Sequence, residues 1–345
     1  MRAVYIEKHG GPEVLMYGQR AEPGIENNEV KVAVKASALN RLDTYVRSGI
    51  RGQKKTFPPP LTLGGDCSGE IVEIGNAVSN VKLGQRVLIN PRISCGECMV
   101  CLSGNDDLCS KSIFLGSDVD GSYAELISVP SINVHPISDN ICFEKAAALP
   151  TTYLPIWNML MRKTQLKPWE TVLVLSASAG VGTAAIQIAK NVIGARIIAT
   201  TSTNEKGTKA LALGADHIIN YTSSDIYTEV NRITCGQGVD VVVDHVGAKF
   251  FESAFNSLKP GGRYGICGVT TGYKTQLHLG SLFTKQIQVF GVYMGCKKDM
   301  IETVDVLNQG KIDPVIHQIF PLDQALDAHK TMDAINFFGK LILRI

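Results

Sequence analysis

Four thiols fall within one short run, Cys95-Gly-Glu-Cys98-Met-Val-Cys101-Leu-Ser-Gly-Asn-Asp-Asp-Leu-Cys109. The spacing C-x2-C-x2-C-x7-C lets four thiolates wrap one tetrahedral ion, with each Zn–S bond about 2.3 Å long. A site closed by four thiolates keeps no position for water or substrate, so a zinc held there is structural. An iron–sulfur cluster and an unmetallated loop are the competing readings. The ferredoxin pattern ends in C-x3-C-P, whereas here the fourth thiol follows seven residues and precedes Ser110. The spacing therefore favours one structural Zn²⁺ per chain.

A second chemistry-bearing stretch is the turn Ser176-Ala177-Ser178-Ala179-Gly180-Val181-Gly182. It lies between a continuous apolar run, TVLVLSA (171–177), and an Ala/Ile-rich helical segment. A tight turn there brings backbone N–H groups and a helix N-terminus up to a pyrophosphate. The pattern G-x-G-x-x-G maps onto Ala177, Ala179 and Gly182, so two of its glycines are alanine, which does not reach positive φ easily. On its own the turn also reads as a plain helix start. Its place at the head of a repeated βα pattern favours a dinucleotide site.

The acid that binds a ribose 2′-OH is expected about twenty residues further on. That position holds Thr200, Thr201 and Ser202, with Lys206 close behind and Glu205 as the nearby acid. Hydroxyl residues plus a lysine favour a 2′-phosphate, hence NADP(H). Lys206 as a solvated first-turn lysine is the competing reading, and NAD(H) stays open.

These residues need elements to hold them. At 345 residues the chain is too long for one ordinary core and fits two domains. With 45% hydrophobic and 19% charged residues it reads as globular. A net charge of +2 gives no footprint for nucleic acid or an anionic membrane. No apolar run is long enough to span a bilayer, and the start has no signal-peptide core. Five of the nine cysteines are scattered singly, which suits a reducing compartment. A cytoplasmic protein acting on a small molecule is expected.

The first ~150 residues carry strand signals at 1–6, 29–40, 68–75, 85–90 and 123–130, and an irregular proline-rich connection at 56–65. Segment 143–163 is helical, with prolines 150 and 155 marking a break. Strands at 171–177, 196–201, 217–220, 239–247, 262–268 and 287–293 then alternate with helices at 181–193, about 205–213 and 248–259. That alternation predicts an α/β, doubly wound parallel sheet. A helix at about 298–309 and a closing strand, KLILRI (340–345), end the chain.

Together the motifs resemble the medium-chain dehydrogenase/reductase superfamily. They are MRAVYIEKHGGPEVL at the start, ASALNRLDTYVRSG (36–49), LGGDCSGEIVEIG (63–75), the cysteine lobe, GVGTAAIQIAK (180–190), ALGADHIINY (212–221), VDVVVDHVG (239–247) and FFGKLILRI (337–345). The resemblance implies a GroES-like catalytic domain at 1–150 and 293–345, and a Rossmann domain at 151–292. It also implies a homodimer or homotetramer, with 287–295 resembling the strand region through which Rossmann domains pair.

Zinc alcohol dehydrogenases of this superfamily hold a second, catalytic zinc. At the positions of its ligands this sequence has Asn40, Gly65-Asp66 and Thr151, with no Cys, Asp or His from 146 to 158. One carboxylate cannot hold a Zn²⁺ that wants three protein ligands. The segment Asn40-Arg-Leu-Asp43-Thr-Tyr45 is similar to that of the quinone-oxidoreductase branch, which lacks catalytic zinc. The resemblance then implies NADPH-dependent hydride transfer to a quinone or an α,β-unsaturated carbonyl, whose charge delocalises as an enolate. A zinc alcohol dehydrogenase is the alternative.

Within that frame Asn40 would donate to the substrate oxygen or simply cap a turn. Asp43 would orient backbone and ribose. Tyr45 would polarise a carbonyl or sit as an aromatic at the rim. Tyr221, His245, Val246, Gly268 and Val292, at or after strand ends, are expected beside the cofactor, with Gly268 and Gly291 allowing close backbone approach.

Overall fold

A computed structural model describes residues 1–57 and 59–345. The chain divides into two compact units, Met1–Thr151 with Met300–Asn308 and Pro314–Ile345, and Thr152–Asp299 with Gln309–Asp313. The sequence reading put the return to the first unit at 293.

The first unit is built on a seven-stranded sheet whose central strand is Glu29–Ala38. Its residues alternate between buried and half-buried over most of their length, the pattern of a strand with one face on a core. Asp66–Ile74 and Lys340–Arg344 flank it, both antiparallel, and Ala38 stands opposite Asp66 on one side and Ile342 on the other. Three strand ends therefore meet just beyond Ala38. Val4, Leu39, Val46, Leu63, Tyr123, Leu341 and Leu343 form one core around this meeting point. A second core, with Val30, Val32, Ile71, Val87 and Val129, fills the rest of the unit.

Helices Arg41–Ser48 and Ala325–Ala334, and strand Ile316–Pro321, belong to this unit and were not foreseen. The first has only eight residues, too short for periodicity to separate it from the strand before it. Of the proline-rich connection, Pro58 lies outside the described residues. Leu61–Thr62 pairs with Tyr5–Ile6 as a short strand.

The second unit is a six-stranded, wholly parallel sheet. Its spatial order is His217–Asn220, Arg196–Thr201, Thr171–Val174, Val239–Asp244, Leu258–Ile266, Gln288–Gly291. Strand order reverses between Thr171–Val174 and Val239–Asp244, the topological switch point where such sheets bind ligands. Both strands are buried almost throughout, as parallel strands covered on two faces must be. Phe251, Phe255 and Tyr264 stack into the core on one face.

One expectation failed locally. Pro150 opens helix Pro150–Trp157, where a missing N–H costs nothing, but Pro155 lies inside that helix and does not end it. The helix instead loosens into π geometry over Asn158–Lys163. Among the described residues no helix is long and apolar enough to cross a membrane.

Candidate active site and metal-binding lobe

The four sulfurs of the cysteine lobe converge. Cys95 and Cys101 are 3.8 Å apart, Cys98 and Cys101 3.4 Å, Cys98 and Cys109 3.9 Å, and Cys95 and Cys109 3.6 Å. A tetrahedron with metal–sulfur bonds of about 2.3 Å has edges of about 3.8 Å, so the donor set fits one zinc ion. Short turns set the spacing. Cys98 precedes the turn Met99–Leu102 that carries Cys101, and Cys109 follows the turn Asp106–Leu108. Arg92 locks the lobe by donating to the carbonyls of Asp107 and Cys109 and to Ser112 Oγ. Backbone N–H groups of Glu97 and Cys98 draw the Cys95 thiol down to about 6, whereas desolvation pushes the Cys101 thiol up to about 12. Among the described residues these four are the group of His, Cys, Asp or Glu side chains that closes on a single ion.

The first unit gathers a different set where the three strand ends meet. Asp66 is fully buried. Its Oδ2 accepts from Asn40 Nδ2 at 2.8 Å, and its Oδ1 from Thr151 Oγ1 at 2.7 Å. The Thr151 N–H reaches both oxygens at 3.2 Å. The Lys340 ammonium donates to Asn40 Oδ1 at 2.6 Å and to the Leu39 carbonyl at 2.7 Å, and stands 3.7 Å from Asp66 Oδ2. Asn40, Asp66 and Thr151, three of the four residues that the resemblance sets at the catalytic-zinc positions, are thus tied together, with a lysine among them. Burial pushes the Asp66 carboxyl up and the Lys340 amine down, and the opposite charge of each partner resists that drift.

Asp43 joins the same network. Its Oδ2 accepts from the Asn40 N–H at 2.7 Å, closing the first turn of helix Arg41–Ser48, and from Tyr123 OH at 3.2 Å. Burial raises its carboxyl to about 7, with the nearby Asp66 charge adding to the rise. Tyr45 stands apart, half-buried, with the Arg51 guanidinium 4.6 Å from its ring centroid.

Sequence reasoning singled out Asn40, Asp43, Asp66 and Thr151 but missed Lys340 and Tyr123. The signal for Lys340 was present: a charged residue opens the closing strand just ahead of the apolar run Leu341-Ile-Leu343. Asp66, read as an isolated carboxylate, has three residues around it.

In the second unit the candidate cofactor residues lie at or after the carboxyl ends of parallel strands. After Thr171–Val174, Ser176 takes φ +52° and turns the chain into helix Gly180–Gln187. The left-handed residue is therefore Ser176, and Ala179 sits at an ordinary φ of −75°, which is how the turn tolerates its alanines. Ser176 and Ala177 donate their N–H groups to Thr200 Oγ1 and O. A Cβ on Gly182 would lie 2.4 Å from the Ser176 carbonyl, so the helix packs against the turn as a dinucleotide cradle demands. His245 Nε2 lies 3.3 Å from the same carbonyl, and burial holds its imidazole below the usual range. The residues present fit a nicotinamide dinucleotide.

Around the expected ribose position, Thr201 Oγ1 donates to the Thr203 carbonyl, and the Ser202 carbonyl accepts from Thr222. Thr203 caps helix Asn204–Leu213 by accepting from the Lys206 N–H. Glu205 is exposed and paired with Lys209 at 2.7 Å. Tyr221 packs on Phe250 with the Lys249 ammonium 5.9 Å from its ring. Gly268 does permit close approach, since its Cβ would meet the His245 carbonyl at 2.7 Å. A Cβ on Gly291 would meet no protein atom within 4 Å, so no contact inside the chain requires glycine there. Val292 is buried and donates its N–H to Ile266 O.

Two family profiles match, the alcohol dehydrogenase GroES-like domain over residues 26–139 and the zinc-binding dehydrogenase over 180–309. An NAD-dependent alcohol dehydrogenase from Sulfolobus acidocaldarius is 31% identical, with all of both chains covered. The chain belongs to the medium-chain dehydrogenase/reductase superfamily. Quinone oxidoreductase 1 of Escherichia coli is 29% identical over 99% of this chain and 98% of its own. A crystal structure of an NAD-dependent alcohol dehydrogenase superposes with a TM-score of 0.96 at 41% identity, covering both chains completely. As a member of this superfamily, the protein is a nicotinamide-dependent oxidoreductase acting on a small molecule.

Proposed function

We propose that the protein is an NADPH-dependent reductase of quinones or α,β-unsaturated carbonyls, with one structural zinc and no catalytic zinc. The observation that carries this reading is the saturation of Asp66. Its oxygens are taken by Asn40 and Thr151 and faced by Lys340, so the carboxylate is spent inside the protein.

A bound nicotinamide supplies a hydride; the chain must hold the oxygen charge that the hydride creates. Oxidising an unactivated alcohol asks for an alkoxide, which a metal ion stabilises strongly. Adding hydride to a conjugated carbon–carbon double bond spreads the charge as an enolate, for which a preorganised hydrogen bond or two suffices. Lys340, bonded to Asn40 and beside Asp66, brings a donor of that kind to this cluster. Asn40 and Asp43 position the start of helix Arg41–Ser48 beside it, and Tyr45 is the further candidate donor on that helix. Absence of a carboxylate at the end of strand Arg196–Thr201, together with Lys206, supports NADPH over NADH.

NAD-dependent alcohol oxidation is the second reading, favoured by the names of the S. acidocaldarius relative and of the superposed structure. A screen of NADPH and NADH oxidation against quinones, enones and aldehydes, run with metal analysis, separates the two. One zinc per chain with turnover of a quinone or enone is expected. Two zincs per chain, with alcohol oxidation lost on removing the second, would establish the alternative.

A further inference from the structure

A lysine stands among residues that the resemblance sets at the catalytic-zinc positions, and the hydrogen-bond inventory around it is uneven. Thr151 Oγ1 spends its proton on Asp66. Asn40 spends Nδ2 on Asp66 at 2.8 Å and, more weakly, on the Ala38 carbonyl at 3.5 Å, while its Oδ1 is filled by Lys340. Asn40, a first candidate for contacting a substrate oxygen, is therefore engaged inside the protein, as is Thr151 beside it. Lys340 has three N–H donors. Two are matched, to Leu39 O and Asn40 Oδ1, and the third is directed to Asp66, its ion-pair partner at 3.7 Å, a contact longer than a full hydrogen bond. Asn40 and Lys340 are 8% and 5% exposed, whereas Asp66 is at 0%.

We propose that the Lys340 ammonium is the electrophile of this site, donating its third N–H to the substrate oxygen as negative charge develops there. This deepens the reductase reading and rests on it. When hydride adds to the β carbon of an enone, the π pair moves to the carbonyl oxygen. Lys340 holds that oxyanion by a charge-assisted hydrogen bond. A proton from water then completes the α carbon, and Lys340 keeps its own protons throughout. The strand register makes this a fixed donor: the Ile342–Ala38 pairing sets Lys340 beside Leu39 and Asn40, with its stem buried. Asp66 neutralises the ammonium in the resting enzyme and holds Asn40, which in turn aims Nζ.

The test uses 4-nitrophenol, whose ionised form absorbs in the visible and mimics an enolate. Wild-type enzyme saturated with NADP⁺ is expected to bind it as the phenolate at a pH where it is neutral in solution. Lys340→Met is expected to bind it neutral or not at all, and Lys340→Arg to restore part of the ionised signal. Because Lys340→Met strands the Asp66 carboxylate, the double variant Lys340→Met/Asp66→Asn is measured beside it, with NADPH affinity and one bound zinc as fold controls. On any carbonyl the wild type reduces, kcat is expected to fall at least a hundredfold in the double variant at unchanged NADPH affinity. Neutral probe in the wild type, or an ionised probe that persists in both methionine variants, overturns the proposal. So does a loss confined to NADPH affinity, which would make Lys340 a phosphate contact. An ionised probe that depends on Lys340, with no quinone or enone turned over, would leave Lys340 as the electrophile and discard the reductase reading.

Discussion

Lys340 Nζ donates to Asn40 Oδ1 over 2.6 Å, and that bond ties the closing strand of the chain to the start of helix Arg41–Ser48. Asp66 sits behind it as counter-ion. Removing one partner from a buried pair leaves an uncompensated charge, which costs about 3–5 kcal/mol. Asp66→Ala also strips the acceptor from Asn40 Nδ2 and Thr151 Oγ1. We expect Asp66→Ala to destabilise by about 3–5 kcal/mol in urea unfolding, and Asp66→Asn, which keeps an acceptor oxygen, by clearly less. Equal losses would mean that the lost charge, common to both variants, accounts for the whole effect and that the acceptor oxygen contributes nothing.

The cysteine lobe predicts a separation between metal and turnover. Four thiolates leave zinc no open position, so its loss acts through the lobe's fold and not through the chemistry. Cys101→Ser should take bound zinc from one equivalent per chain toward none and lower Tm. Turnover, measured promptly below the new Tm, should stay within a few-fold of wild type. Metal analysis and calorimetry on the same preparation check it, and an immediate collapse of kcat in a still-folded variant would give the ion a catalytic part.

Asp43 supplies a pH dependence with a definite sign. Its carboxyl titrates at about 7 when folded, against 3.8 as the ordinary value. The folded state therefore holds this proton more tightly than the unfolded chain does. The resulting stability is fully present below about pH 4 and is lost as pH rises through about 7. Wild-type Tm should fall between pH 5 and pH 8 more steeply than that of Asp43→Asn, whose amide oxygen still accepts from the Asn40 N–H. Parallel Tm curves for the two proteins would show that Asp43 is ionised across the whole range.

Gly182 is the turn position with no room to spare. An added Cβ would lie 2.4 Å from the Ser176 carbonyl and 2.8 Å from Ala177 Cα, both backbone atoms that cannot swing aside. Gly182→Ala should push helix Gly180–Gln187 off the turn, weaken dinucleotide binding at least tenfold and lower Tm. Titration of intrinsic fluorescence with NADPH reads the first effect. Unchanged affinity would place the pyrophosphate elsewhere.

How much of this was legible beforehand differs by scale. The parallel strands announced themselves because each is a short apolar run that must be buried on both faces; 196–201 and 217–220 were placed to the residue. The cysteine lobe was legible because its ligands are local, and turn geometry alone closes the tetrahedron. The Asp66 cluster was only half legible. Asn40, Asp66 and Thr151 drew notice by what they were not, but Lys340 enters through strand register, 300 residues from Asn40, and no local pattern encodes a register. Ser176 was hidden for a related reason: positive φ was sought at the motif's glycine positions, and the chain took it one residue earlier.

Cofactor choice gives the last prediction. Strand Arg196–Thr201 ends in hydroxyl residues, and the first acid after it in sequence, Glu205, is exposed and paired with Lys209. Nothing at the strand end can accept two ribose hydroxyls as a carboxylate does. Lys206, half-buried in the first turn of helix Asn204–Leu213, has its amine drawn below the usual range by burial, so a phosphate dianion beside it would favour the charged form. Lys206→Glu replaces that attraction with repulsion. NADPH affinity should fall at least tenfold, about 1.4 kcal/mol, while NADH affinity changes by less than a factor of three. Competitive binding of the two reduced cofactors measures the ratio directly. Equal losses for both would turn Lys206 into a mere helix-start residue and shift the enzyme toward NADH.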